Sequence, residues 1–288
     1  MKTLDIPIRV VGPGSQAEDD DLQYLEIPEA ISTFRMPIVP PRVDPFALAE
    51  ARDVLAEFLD AFEPWDPASG VPGPGLDVSG VTPSALAITN EMLGEGEVAI
   101  QVRGARTLRI QESVFTGVWR VCEVGSDGTL VGDWIEAGAI PRVVLESARE
   151  AASVSPAAIA MPAGAMNSPS LLAEIGAKAR AFRKGDRAHV VNLTLFPLSP
   201  EDHDVLARAL LPGPVAMISR GFGHCRVSST LTRNVWRVQY FNSMKTLILD
   251  TIEVVDVPEV AIAAPEDLVD SRARLAELIA WMDEDDSE

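Results

Sequence analysis

The chain has 288 residues, 47% of them apolar, and a formal net charge of −19 at pH 7. That length suits two ordinary domains, each able to bury a core. The acidic balance argues against nucleic acid and anionic lipid as partners, and no apolar run approaches the roughly 18 residues of a membrane span. The opening residues show no charged-then-apolar signal region, so a cytoplasmic protein with no membrane insertion is expected. The charge gathers at the ends. Residues 1–30 hold two basic and seven acidic residues, and residues 264–288 hold two and nine. With only Cys122 and Cys225 present, no disulfide or metal framework is expected.

In chain order, residues 1–41 combine the loop signal Gly12-Pro13-Gly14, an acidic run from Glu18 to Asp21 and several prolines, which reads as an extended arm. A helix follows from Pro45 to Phe62, with Asp44 as its cap, Pro45 at its first position and Phe46, Leu48, Leu55, Phe58, Leu59 and Phe62 supplying apolar surface. Glu63 to Pro83 is rich in Pro and Gly and reads as a loop. A second helix opens at Ser168-Pro169. His189 to Leu198 alternates like a strand, Ser199-Pro200-Glu201 opens a helix through Leu211, and Val215 to Ile218 starts another strand. Pro265 to Met282 forms a last helix.

A stretch of about fifty residues occurs twice. Residues 93–144 align without a gap on 210–261, matching Val118-Trp119-Arg120-Val121 to Val235-Trp236-Arg237-Val238, and Asp133, Ile135 and Glu136 to Asp250, Ile252 and Glu253. The helices at Pro45 and Pro169 match at a larger offset, the excess falling in the Glu63–Pro83 loop. A solenoid needs three or more repeats, so two long copies point to duplicated small domains. The expected fold is α+β: two tandem repeats of helix, strand, helix and hairpin-rich sheet in a pseudo-twofold relation, with an N-terminal arm and a C-terminal helix. The boundaries are 1–41 for the arm, 42–150 for the first repeat domain and 151–288 for the second with its helix.

Two β-rich runs flank Asn242-Ser243-Met244-Lys245 and predict a hairpin. A turn centred between Ser243 and Met244 sets Arg237 directly opposite Asp250, and likewise Arg120 opposite Asp133 and Trp119 opposite Trp134. A bulge would shift that register. Residues held at matching places in both copies serve the shared fold, so Trp119, Arg120, Asp133, Trp236, Arg237 and Asp250 are read as a structural motif, with no catalytic set.

Function is sought where the copies differ. Gly221-Phe222-Gly223-His224-Cys225 is the one place where His and Cys adjoin, which makes Phe222, His224 and Cys225 candidate partner-binding residues. Neighbouring strand residues point to opposite faces, so His224 and Cys225 diverge and no metal site is expected. Gly12-Pro13-Gly14-Ser15-Gln16 lacks the spacing of a phosphate loop. An enzyme with a cleft between the lobes is also open, carrying Arg103, Arg109, Arg220 and Arg226; it would require those arginines to converge on a deep pocket.

Val11-Gly12-Pro13-Gly14-Ser15-Gln16, the run from Asn234 to Asn242, Leu247-Ile248-Leu249-Asp250-Thr251-Ile252-Glu253, and Val257-Pro258-Glu259-Val260 through Ala264-Pro265-Glu266-Asp267 resemble the HupH/HyaF hydrogenase expression/formation proteins. The resemblance runs essentially end to end. It implies a non-enzymatic, chaperone-like accessory protein in the maturation of a membrane-bound uptake [NiFe]-hydrogenase, binding the iron-sulfur small-subunit precursor before export alongside other accessory proteins, with no cofactor of its own. The alternative is an iron-sulfur or redox helper using Cys225. The first copy has Gly125, Gly128 and Gly132 where the second has Asn242, Lys245 and Leu249, which makes the second lobe the better docking candidate.

Overall fold

Asp44 accepts a hydrogen bond from the Phe46 amide at 3.1 Å and Pro45 takes the first helical position, so the first helix begins and ends where the sequence places it. A computed structural model describes residues 44–104, 106–220 and 224–285. All of them belong to one compact unit, residues 31–288. The extended arm, the Gly12–Gln16 loop and Phe222 lie outside the described residues.

The elements in chain order are α1 (Pro45–Phe62), β1 (Gly75–Asp77), α2 (Pro83–Leu93), β2 (Val98–Val102), β3 (Thr107–Glu112), β4 (Val118–Val124), β5 (Leu130–Ala137) and α3 (Arg142–Glu150). Then come α4 (Ser168–Ala181), β6 (His189–Asn192), α5 (Pro200–Ala209), β7 (Pro212–Ser219), β8 (His224–Thr230), β9 (Val235–Phe241), β10 (Leu247–Val254) and α6 (Pro265–Asp285). Among the described residues these strands make one antiparallel sheet ordered β1-β5-β4-β3-β2-β7-β8-β9-β10-β6. Strands β1 to β5 fill one half and β6 to β10 the other. The halves meet where β2 pairs with β7, Ile100 opposite Met217. The architecture is therefore mixed helix and antiparallel sheet, as the α+β expectation had it.

Two sequence readings change. The Glu63–Pro83 loop contains β1, in which Leu76 pairs with Ile135 on the outer edge of β5. Three residues between Pro and Gly carry no periodic signal, and tertiary pairing alone makes them a strand. The strand expected to run to Leu198 stops at Asn192, whose side-chain oxygen accepts from the Thr194 amide at 3.0 Å and turns the chain into a short 3-10 helix. The next helix is fixed by a capping box: Ser199 Oγ accepts from the Asp202 amide at 3.0 Å while the Asp202 carboxylate accepts from the Ser199 amide at 3.1 Å.

One sheet face is apolar across both halves. Trp119, Val121, Met217, Val227, Trp236 and Val238 form a buried cluster with Val143 and Val144 of α3. Both indoles donate to loop carbonyls, Trp119 Nε1 to Gly138 O at 2.8 Å and Trp236 Nε1 to Asp256 O at 3.1 Å, which pins the chain leaving β5 and β10. On the other face the helices cover the outer strands. Val118 and Ile135 pack with α1, and Val235 and Ile252 pack with α4 and α5.

Helix α6 follows the second copy in the chain yet docks on the first half, sharing a core of Leu268, Leu275, Ile279 and Met282 with Leu55, Phe58 and Phe62 of α1. Arg272 Nη1 reinforces this by donating to Glu63 O at 2.8 Å. The contact needs Gly117, which has φ +79°, and a Cβ built on it would lie 2.3 Å from Leu268 Cδ2 and 3.1 Å from Ala263 Cβ. Backbone strain and overpacking add, so Gly117→Ala is expected to lower unfolding stability by about 2 kcal/mol, read as a lower urea midpoint at unchanged slope. The aligned Asn234 also has a positive φ, 59°, without this helix against it. There, Asn234→Gly should be close to neutral.

Candidate functional site

The two β-hairpins carry the residues that the repeat singles out. Both turns are odd. Gly125 N donates to Thr129 O at 2.7 Å and Asn242 N to Thr246 O at 2.9 Å, and the third turn residue is left-handed in each, Gly128 at φ 84° and Lys245 at φ 60°. A bulge follows, since Glu123 pairs with Gly132 and Val124 with Leu130, and equally Tyr240 with Leu249 and Phe241 with Leu247.

The odd turn and the bulge each move the register by one. Arg120 therefore faces Ile135, and Asp133 faces Cys122; Arg237 faces Ile252, and Asp250 faces Gln239. Trp119 sits opposite Glu136 and Trp134 opposite Val121. The direct pairing expected from the sequence is thus corrected to a diagonal one. A shift of two keeps both partners on the same face, and arginine is long enough to cross the diagonal. Arg120 Nη2 reaches Asp133 Oδ2 at 3.0 Å and Nη1 reaches Oδ1 at 2.5 Å; Arg237 Nε and Nη2 reach Asp250 Oδ1 and Oδ2 at 2.9 and 2.6 Å.

Surroundings distinguish the two pairs. Arg120 is 8% exposed and Asp133 2%. Two further donors of Arg120 are used, Nε on Asn90 Oδ1 at 2.7 Å and Nη1 on Trp134 O at 3.1 Å. In the second half Arg237 is only partly buried. Each aspartate amide donates to a hydroxyl at the end of the edge strand, Asp133 N to Ser79 Oγ at 3.1 Å and Asp250 N to Thr194 Oγ1 at 2.9 Å. The pairs therefore tie sheet, hairpin and outer strand together, a structural role.

Alternation along the strands separates the asymmetric residues. His224 opens β8 exposed, whereas Cys225 is 3% exposed within the apolar core. Burial pushes the Cys225 thiol up to about 11 and the neighbouring Tyr240 hydroxyl up to about 12. A thiol held neutral and inside is a poor nucleophile at neutral pH. Cys122 lies on the opposite face, and burial with the adjacent Asp133 raises its thiol as well. Of the candidate partner-binding residues described, only His224 is presented at the surface. No group of three or more His, Cys, Asp or Glu among the described residues could hold a metal ion.

Of the four arginines that an inter-lobe cleft would require, Arg109 and Arg226 lie within β3 and β8, and Arg103 and Arg220 just beyond β2 and β7. Arg226 lies 5.5 Å over the Phe241 ring, and the depression lined by Leu145, Arg149, Thr230, Asn234 and Asp256 includes none of the four. What the surface offers instead is apolar exposure at the hairpin ends. Leu130 and Val131 are exposed in the first half, and Met244, Leu247 and Ile248 in the second, where Leu195 is added. Charge totals at the chain ends also hide a basic segment running from the last turn of α4 to β6. A ten-residue charge window would have found it, because Lys178, Arg180, Arg183, Lys184 and Arg187 hold five of the 24 basic residues.

The family model for the HupH hydrogenase expression protein, C-terminal conserved region, matches this chain twice, at residues 48–159 and 165–282. The chain belongs to the HupH hydrogenase expression protein family. It is 42% identical over 283 residues to the hydrogenase expression/formation protein HoxQ of Cupriavidus necator, covering 98% of this chain and 99% of that protein. It is 46% identical to HupH of Rhizobium leguminosarum bv. viciae across 72% of this chain and 74% of that one, and 29% identical to the hydrogenase-1 operon protein HyaF of Escherichia coli across 96% of each. Each HupH-family match spans a full set of helix, strand, helix and four strands. No helix among the described residues is long and apolar enough to cross a membrane.

Proposed function

We propose that this protein is an accessory factor of [NiFe]-hydrogenase maturation that holds the immature iron-sulfur small subunit before export and performs no turnover of its own. Its family membership, with relatives named for hydrogenase expression and formation along nearly the whole chain, carries the reading. The structure suits a holder. The charges of its repeated motif are paired inside the hairpins, its described cysteines have raised thiols, and exposed apolar residues lie at the hairpin ends. A cytoplasmic site of action accompanies this proposal, as does a twin-arginine signal on the client, whose basic charge an acidic chain would attract.

The architecture fits a tandem duplication, residues 42–150 and 151–288, about a pseudo-twofold axis between β2 and β7. The two family matches and the strand order, which reads alike from either edge, support it. The rival redox reading is disfavoured by the burial of Cys225.

Affinity capture of this protein from hydrogenase-expressing cells, followed by mass spectrometry, is expected to recover the small-subunit precursor with its leader intact. Recovery of the large subunit alone would reject the assigned client, and recovery of no hydrogenase component would reject the role. Cys225→Ser should leave hydrogenase activity unchanged; stoichiometric iron in anaerobically purified protein would favour the redox reading instead.

A further inference from the structure

The segment running from the last turn of α4 to β6 stands out against the rest of the chain. Lys178, Arg180, Arg183, Lys184 and Arg187 lie within ten residues, opposed there only by Asp186, on a protein whose net charge is −19. All five are exposed. The shared fold does not demand this. The aligned stretch of α1 carries Glu57, Asp60 and Glu63, so the same place in the first half has the opposite sign.

Two of the five have structural duties. Arg183 Nη1 donates to the carbonyls of Ala181 and Phe182 at 3.0 Å each, closing the C-terminus of α4, and Arg180 Nη1 donates to Ser155 Oγ at 3.2 Å. Lys178, in the last turn of α4, and Lys184 and Arg187 after it extend the positive surface on either side of that cap. The chain then runs straight from Arg187 into β6, the terminal strand of the sheet among the described residues. β6 pairs with β10 on one side, from His189 opposite Val254 to Asn192 opposite Thr251. It contains neither proline nor lysine, the usual guards of an open edge. Val190, which takes the place of Gly75 in β1, is 51% exposed there.

We propose that the β6 edge and the adjoining basic segment form a docking site for an extended acidic segment of a partner protein, which adds a strand beside β6 while its carboxylates meet Lys178, Lys184 and Arg187. Charge complementarity selects the occupant. An open strand edge supplies main-chain hydrogen bonds to any extended peptide, and the basic segment supplies preference for an acidic one. A polynucleotide is the weaker fit, since it has no use for a strand edge and meets the repulsion of the acidic remainder. The proposal rests on the accessory role only for the client's identity, and its test contains no hydrogenase component, so the two can fail separately.

The probe is a fluorescein-labelled peptide of alternating glutamate and valine, roughly as long as an ordinary strand, titrated with the full chain. Binding should weaken with salt and fall by about tenfold or more in the Lys178→Glu, Lys184→Glu, Arg187→Glu triple variant, whose melting temperature should stay near that of the parent because the three side chains are exposed. The same peptide N-methylated at alternate residues keeps its charge but loses half its main-chain donors, and it should bind comparably weakly. Equal affinity of parent and triple variant overturns the basic site, and equal affinity of the two peptides overturns the strand pairing. Tighter binding of a duplex oligonucleotide than of the peptide would replace the proposal with a polyanion site. Concentration-dependent dimerisation that the peptide cannot displace would assign the edge to a second copy of the chain.

Discussion

Replacing Asp133 with alanine is expected to lower unfolding stability by about 3–5 kcal/mol, because it strands a buried guanidinium. Arg120 is 8% exposed and spends its donors on Asp133, Asn90 and the Trp134 carbonyl. Removing the carboxylate leaves the charge with two neutral acceptors and no counter-charge. The repeat supplies an internal control. Asp250→Ala removes the same partner from Arg237, whose side chain keeps 27% of its exposure and can turn to water. The loss there should be smaller, about 1–2 kcal/mol, between the values for surface and buried pairs. Urea unfolding of the two variants measures the difference. Equal losses would show that connection to the outer strand, common to both copies, matters more than desolvation.

Glu112 governs the second large effect, the pH dependence of stability. Its carboxylate is 5% exposed at the end of β3, with Oε1 accepting from the Gly117 amide at 3.0 Å. Burial pushes the carboxyl from 4.5 up to about 7, against the backbone hydrogen bonds from Gly117 and Val98 that pull it down, and Glu97 and Asp267 add repulsion. The folded state therefore keeps a proton that the unfolded chain has lost. Stability from this group is fully present below the unfolded value and disappears as pH rises through about 7. The shift corresponds to about 3 kcal/mol.

Glu112→Gln keeps an acceptor for the two amides and removes the charge. Its urea midpoint should match that of the parent near pH 4 and exceed it at pH 8, with the difference growing between. Parallel pH profiles would mean that water reaches the carboxylate and that its ionisation carries no cost. The opposite half answers the same backbone need with Ser229, whose hydroxyl accepts from the Val215 amide at 3.0 Å. A hydroxyl does not titrate in this range, so the pH dependence belongs to the first half.

The helices were legible because their signals are local. Asp44-Pro45 and Ser199-Pro200 mark starts through hydrogen bonds made within a few residues, and the bounds of α1 follow from them. Family membership was legible because its motifs lie in continuous runs. β1 was not, since three residues flanked by Pro and Gly become a strand only when β5 is beside them. The hairpin register was half legible. Alternation identified which side chains share a face, but the turn length and the bulge at Val131 and Ile248 depend on a left-handed residue that reads as Gly in one copy and Lys in the other.

The candidate site divides in the same way. His224 and Cys225 were expected to diverge, and strand alternation is enough to say so. That Cys225 points inward, and so is withheld from any partner, depends on which face the sheet buries. The basic segment from Lys178 to Arg187 is plain in the sequence, yet its place beside β6, the terminal strand among the described residues, comes from the fold.

By itself the sequence determined the family, the doubling of a fifty-residue stretch and the residues that must pair, because identity, periodicity and composition are properties of the chain. Only the tertiary structure decided that both copies share one sheet, that α6 crosses to the half it does not follow, and that β6 ends the sheet among the described residues. Those outcomes depend on burial between distant segments, where hydrogen bonding and apolar contact act across space and leave no spacing along the chain to read.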